Sequence, residues 1–323
     1  MANIAGKKIK LFSLNANRKL ADDISLASKI PLSEVRVVKF SDGEINISIT
    51  ETVRGHDCFV VQSTSRPAND NLMELLIMCD ALKRASAKSV TLIMPYYGYA
   101  RQDKKAESRQ PITAKLVADL LQTAGANRVI SIDLHAAQIQ GFFNIPIDNF
   151  PAGPLLAKWF IRNKITKDII VVSPDHGGTS RARSFSKIFG DNTPIAIIDK
   201  RRPKPNEAEV MNIIGDVRGK TAIIIDDMID TAGTLAAASN ALVDAGATKV
   251  YAAATHAVLS GDALTKINES KVDKVVITNT IKLEENMKSD KIVELSIGKI
   301  LGEAIVHIVN DEAISQLFDN PAE

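Results

Sequence analysis

Twelve consecutive residues, Ile223 to Thr234 (IIIDDMIDTAGT), carry the most specific chemistry in the sequence. An apolar run ends in two adjacent carboxylates, Asp226 and Asp227. Asp230, small hydroxyl residues and an Ala-rich helical stretch, Leu235 to Val243, come next. A helix N-terminus presents N–H groups and partial positive charge, so Thr231, Ala232, Gly233 and Thr234 can wrap a phosphate. Asp226 and Asp227, read here as part of the loop, can accept hydrogen bonds from vicinal sugar hydroxyls. A sugar phosphate satisfies both ends. An acidic strand end with a Thr N-cap accounts equally for a bare DDxxD, and only the full string favours the ligand.

Other polar residues have both a chemical and a plain reading. Arg101 and Gln102 sit in Tyr99 to Lys105 (YARQDKK), a cationic turn after an apolar strand, where a guanidinium either grips a phosphate or is simply solvated. His135 ends another apolar run at a sheet's carboxyl edge, where open α/β folds bind ligands, although a lone His is commonly structural. Asp42 and Glu44 flank Gly43 in a hairpin-like stretch, which is also ordinary turn chemistry. Ile198 to Pro205 (IDKRRPKP) carries a basic run punctuated by proline, so it reads as a loop and not a helix. Gly215 to Thr221 (GDVRGKT) imitates a nucleotide-binding P-loop. It is one residue short between its glycines and is followed by a strand, so it is rejected.

These residues need a scaffold, and the hydrophobic pattern supplies one. Apolar runs recur at Cys58 to Gln62, Val90 to Met94, Val129 to Asp133, Ile169 to Val172, Ile195 to Ile198, Ala222 to Ile225 and Val250 to Ala254. Between them lie amphipathic patterns such as Asn71 to Arg84 and Thr113 to Thr123. Continuous apolar strands alternating with helices require a parallel sheet covered on both faces, so the fold class is α/β. The chain also resembles itself: Ala124-Gly125-Ala126-Asn127-Arg128-Val129 followed by His135 matches Ala245-Gly246-Ala247-Thr248-Lys249-Val250 followed by His256. Two similar halves are expected, 1–150 and 151–323, with Asn149 to Pro154 as the hinge.

Composition narrows the class. The 323 residues are 45% hydrophobic and 24% charged, and 40 Lys and Arg against 38 Asp and Glu leave a charge of +2, too small for a backbone-reading nucleic-acid binder. The start, MANIAGKKIKLFSLN, lacks the apolar stretch of a signal peptide, and no run approaches the roughly 18 apolar residues of a membrane span. Cys58 and Cys79 form no CxxC pair, so a reduced, cytoplasmic compartment is expected.

The phosphate-loop string resembles that of the type I phosphoribosyltransferase superfamily. Phe40-Ser41-Asp42-Gly43-Glu44, Asn69 to Leu75, Tyr99 to Lys105, Asp133 to Phe143 and Val171 to Asp175 together resemble the ribose-phosphate pyrophosphokinase family, over about Ile9 to Phe318. The resemblance implies two phosphoribosyltransferase-like domains, an N-terminal one making nucleotide and regulatory contacts and a C-terminal one carrying the sugar-phosphate and catalytic loops. It implies attack of the ribose 5-phosphate anomeric hydroxyl on the β-phosphorus of Mg-ATP, giving phosphoribosyl pyrophosphate and AMP. Lys200 and Arg202 become the catalytic pair. Phe40, Asp42, Gly43, Glu44, Arg101 and Gln102 become ATP-binding residues. Arg202, Asp226, Asp227, Asp230, Thr231, Ala232, Gly233 and Thr234 become the ribose 5-phosphate site, and His135 and Asp175 the magnesium ligands. The resemblance further implies a homohexamer inhibited by ADP and supported by inorganic phosphate. Ala232 stands where the family usually has a second glycine, a costly exchange only if its φ is positive or its backbone lies against the phosphate. A non-catalytic homologue would have lost the lysine or the carboxylates, and a phosphoribosyltransferase would be shorter.

Overall fold

A computed structural model of the chain describes residues 2–4, 6–201 and 210–319. The chain forms two compact units, Met1–Pro151 with Thr280–Lys282 and Ser296–Glu323, and Ala152–Asn279 with Leu283–Leu295. In the first, β1 (Ala2–Ile4), β2 (Lys7–Ser13), α1 (Arg18–Ser28), β3 (Val35–Lys39), β4 (Ile45–Ile49) and β5 (Asp57–Val61) lead to α2 (Ala68–Arg84) and β6 (Ser89–Met94). Helix α3 (Thr113–Ala124), β7 (Arg128–Ile132) and β8 (Ile147–Phe150) follow. The sheet runs β1-β2-β5-β6-β7-β8, parallel except for β1, while β3 and β4 form a separate antiparallel hairpin.

The second unit contains α4 (Gly153–Arg162), β9 (Ile169–Ser173), α5 (Thr179–Phe189), β10 (Ile195–Arg201), β11 (Val210–Ile214), β12 (Thr221–Ile229) and α6 (Gly233–Asp244). Strand β13 (Lys249–Ala257), α7 (Ala263–Glu269), β14 (Lys274–Thr278) and β15 (Ile292–Leu295) complete it. Its sheet order is β11-β10-β9-β12-β13-β14-β15, parallel except for the edge strand β11. Val172, Ile224, Val250, Ala252 and Val275 from the central strands pack with Leu235, Ala238 and Leu242 of α6 in one buried cluster.

The internal repeat has a structural basis. In each unit a central strand, β6 or β12, leads through a loop and a helix into the neighbouring parallel strand, β7 or β13. The matched sequences are the helix ends, where Gly125 (φ 125°) and Gly246 (φ 94°) turn the chain into that strand. A boundary at residue 150 does not capture the last segment, which returns to the first unit. Helix α8 (Gly298–Val309) packs on α1, and α9 (Gln316–Asp319) follows it. A Cβ on Gly298 would lie 2.3 Å from that of Asp23, and one on Gly302 would lie 2.6 Å from that of Ala27, so glycine sets the separation of the two helices.

Candidate active site

Strand β12 is longer than its neighbour β9. Their pairing ends at Ile224–Val172, yet β12 continues along β13 through Asp226–Ala254 to Ile229–Ala257. Asp226 and Asp227 therefore stand on a strand overhang at the carboxyl edge of the sheet, and not in the loop the sequence suggested, because β13 keeps supplying ladder partners. Beside the overhang is a cavity of about 180 Å³ lined by Pro174, Asp175, Asp226, Asp230 and the run Thr231 to Leu235.

The two carboxylates are held close together. Asp227 N–H donates to Asp226 Oδ1 at 2.9 Å, and Arg181 Nη1 lies 3.1 Å from Asp226 Oδ1 and 3.3 Å from Asp227 Oδ1. Burial and the neighbouring Asp227 push the Asp226 carboxyl up to about 7, with Arg181 opposing the rise. Near neutral pH the Asp226 carboxyl is therefore partly protonated, where an isolated carboxyl is fully ionised. A group of hydroxyl donors placed against the ionised pair would compensate the repulsion between them.

The phosphate end is a helix N-terminus without a side-chain cap. Helix α6 begins after Ala232, whose φ of 56° and ψ of 5° are left-handed and whose methyl offers no side-chain cap. By contrast, Asn17 Oδ1 accepts from Leu20 N–H at the start of α1. The conformation at Ala232 costs about 1–2 kcal/mol in a residue with a Cβ. Such strain at a loop that lines a cavity is expected of a functional site. The Thr N-cap alternative is thereby removed: the cap position belongs to Ala232. The GDVRGKT decoy is a turn entering β12, as expected of a strand connection.

The remaining candidates are distributed over both units. In the first, Phe40, Asp42, Gly43 and Glu44 form the exposed turn of the β3–β4 hairpin, with Phe40 49% exposed. Its closure is Phe40 N–H to the Glu44 carbonyl at 2.8 Å. The underside of the hairpin, Val35, Val37, Ile47 and Ile49, packs on the core. Arg101 and Gln102 are exposed in the loop between β6 and α3. That loop is anchored by Tyr97 Oη donating to the Ala114 carbonyl at 2.8 Å, by Thr113 Oγ1 donating to Gln102, and by Gln138 Nε2 donating to Asp103 Oδ2 at 2.7 Å. His135 is exposed beyond β7, just before a 3-10 turn, Ala137–Phe142, that carries Gln138. Tyr99 (φ 65°) and Asp133 (φ 40°), each two residues before a candidate, share the left-handed strain of Ala232.

In the second unit Asp175 is exposed at the cavity rim, and its Oδ1 accepts from Gly178 N–H at 2.9 Å. The basic stretch does not begin as a loop: β10 runs through Lys200 to Arg201, pairing with Met211 and Val210 of β11. An antiparallel partner satisfies its backbone there. Arg202 and the Lys200 side chain lie outside the described residues. Among the described residues no three His, Cys, Asp or Glu side chains converge on a metal-sized site.

Sequence reasoning missed Arg181, the Asp103–Gln138 contact, and the hydrogen bond between His176 Nε2 and Asp199 Oδ1 at 3.0 Å. Only Arg181 leaves a trace in sequence. It is a basic residue in the first turn of a helix, where the dipole disfavours one.

A strand overhang with adjacent carboxylates beside a helix N-terminus, at the carboxyl edge of a parallel sheet, defines an α/β protein with a ligand-sized cleft at its switch edge. Comparison with known proteins makes this specific. Residues 9–125 match the N-terminal domain of ribose phosphate pyrophosphokinase, and residues 195–319 match the phosphoribosyl synthetase-associated domain. The chain is 59% identical over 312 residues to the ribose-phosphate pyrophosphokinase of Bacillus caldolyticus, covering 97% of this chain and 98% of that one. It is 56% identical over 319 residues to that of Bacillus subtilis (strain 168), covering 98% and 100%. The crystal structure of phosphoribosylpyrophosphate synthetase from Mycobacterium smegmatis superposes with a TM-score of 0.90 at 43% identity, covering 94% of this chain and all of that one. The chain belongs to the ribose-phosphate pyrophosphokinase family.

Proposed function

We propose that the protein transfers the pyrophosphoryl group of Mg-ATP to the anomeric hydroxyl of ribose 5-phosphate, giving phosphoribosyl pyrophosphate and AMP. The observation that carries the reading is the joining, in one cavity, of Asp226, the neighbour and hydrogen-bond partner of Asp227, to the N-terminus of α6. Thr231 to Thr234 would take the 5-phosphate, and the carboxylates would take the vicinal ring hydroxyls. The anomeric oxygen then forms a bond to the β-phosphorus as the bond from that phosphorus to the α-phosphate oxygen breaks. AMP leaves and the hydroxyl proton passes to water.

Charge spreads over the oxygens of the moving group, so the protein's task is positioning and electrostatic stabilisation. Lys200 would meet the β-phosphoryl oxygens, and Arg202 the bridging and substrate phosphate oxygens. Arg101 and Gln102 would grip the nucleotide phosphates, and the exposed Phe40 with Asp42, Gly43 and Glu44 would hold adenine in a neighbouring subunit's site. The exposed carboxylate of Asp175 and the exposed imidazole of His135 suit a magnesium ion, which prefers few protein ligands and keeps phosphate and water oxygens. Magnesium would neutralise charge on the ATP phosphates. A homohexamer, inhibited by ADP and supported by inorganic phosphate, is the assembly and regulation this reading expects.

AMP release from ATP, measured with and without ribose 5-phosphate, tests it. Release that needs the sugar phosphate is the expected result, and release indifferent to it excludes the reading.

A further inference from the structure

Arg181 belongs to no motif, yet its surroundings are unusual. It is the third residue of α5, whose first turn holds no acid and whose cap residue, Gly178, offers no side chain. A cation placed there works against the helix dipole and needs compensation. The compensation lies across the cavity edge, where one guanidinium nitrogen reaches one oxygen of Asp226 at 3.1 Å and one of Asp227 at 3.3 Å. A Cβ on Gly178 would fall 2.7 Å from Ser173 Oγ, so glycine lets the start of α5 pack closely on the end of β9. Arg181 is 29% exposed and Asp227 5%, so the contact is largely shielded from water.

We infer that Arg181 is the positioning residue of the sugar site: by bridging Asp226 and Asp227 it fixes both carboxylates and lowers the pH above which both are ionised for the sugar hydroxyls. The inference rests on the sugar-site reading above. Two carboxylates on successive residues repel, and without a cation the pair lowers its energy by keeping a proton. A protonated carboxyl loses the charge-assisted bonds that make vicinal hydroxyl recognition strong. Charged and titratable groups stand near the pair among the described residues. Arg181 comes from α5, Asp175 from the loop after β9, and Asp230 from the end of β12, while β13 brings His256 beside Met228. Arg181 lies 3.1 Å from one carboxylate and 3.3 Å from the other, so it is a cation that favours the ionised form of both.

Calorimetric titration of the full chain with ribose 5-phosphate from pH 5.5 to 9 tests this. The ligand's own phosphate proton, with a pKa near 6, is common to all variants and cancels between them. In the unsubstituted protein affinity should rise with pH through about 7. In Arg181→Gln the midpoint should move to higher pH by about one unit or more, as expected for loss of an opposite charge within about 4 Å. Arg181→Lys should restore it, and kcat at saturating substrate should fall less than kcat/KM. An unmoved midpoint in a folded Arg181→Gln overturns the inference. If that variant does not fold, a shifted midpoint in Arg181→Lys overturns it equally. Asp226→Asn separates the two ideas: unchanged ribose 5-phosphate affinity at pH 8 in that variant would refute the sugar-site reading itself.

Discussion

Replacing Asp226 by Asn should make the ligand-free protein more stable at pH 8, and a poorer binder of ribose 5-phosphate at the same pH. Burial and Asp227 raise the Asp226 carboxyl from 3.8 to about 7. Between these values the folded state holds a proton that the unfolded chain has lost, so stability falls as pH rises across that window. Above it, carrying the charge in the folded state costs on the order of 4 kcal/mol. Because 31% of the side chain still faces water, screening reduces this to about 1–3 kcal/mol. Asn has nearly the same shape and no charge, and Arg181 keeps Asp227 as its partner. The melting temperature at pH 8 should therefore rise by roughly 2–10 °C. At pH 5, where Asp226 is mostly protonated already, the change should be small. Ribose 5-phosphate affinity at pH 8 should fall about tenfold to a hundredfold, the loss of one charge-assisted hydrogen bond of about 1.5–3 kcal/mol. Melting curves at the two pH values and one binding titration suffice. A stability gain equal at both pH values, or a loss at pH 8, would refute the electrostatic account of the pair.

Three further outcomes are expected. Lys200→Ala should lower kcat and kcat/KM together, by at least about a hundredfold, as removal of a cation that meets transition-state charge does; normal steady-state kinetics would send the search to Arg101 and Lys104. His135→Ala should need more magnesium for half-maximal activity, and an unchanged magnesium titration would return His135 to a structural role. At Ala232, φ of 56° makes glycine acceptable and a β-branched side chain strained, so Ala232→Gly should keep the unfolding free energy within about 1 kcal/mol while Ala232→Val loses about 2 kcal/mol or more and binds ribose 5-phosphate less tightly. A valine tolerated as well as glycine would show that the turn is not held against a ligand.

What was legible followed from local pattern. Strands β9, β12 and β13 are near-continuous apolar runs with 0–3% exposure at Val172, Ile224, Val250 and Ala252, and such runs identify buried parallel strands directly. The strand-to-helix passage from β12 into α6 was legible because its twelve residues are contiguous. Strand β2 was not, since Lys10 interrupts its apolar run; the lysine is nonetheless 5% exposed, paired with Glu51 just after β4, a partner 41 residues away. The same holds for the overhang of β12, which depends on where β13 ends, and for the Lys200 and Arg201 backbone, which depends on β11. Arg181 reaches Asp226 across 45 residues. Helix α8 reads as an ordinary amphipathic helix, and only its close approach to α1 at Gly298 and Gly302 shows which unit it serves. Long-range pairing, absent from any window of sequence, is the common cause.

The central claim is that a two-phosphate group moves, and that it moves to the anomeric oxygen of ribose 5-phosphate. Phosphorus NMR of the reaction of the full chain with ATP, ribose 5-phosphate and magnesium chloride observes this directly. AMP and a sugar-bound diphosphate should appear in equal amounts, with the two phosphates coupled to each other and the 5-phosphate unaltered. Appearance of ADP with a singly phosphorylated new position, or of AMP and free pyrophosphate without any sugar diphosphate, would contradict it.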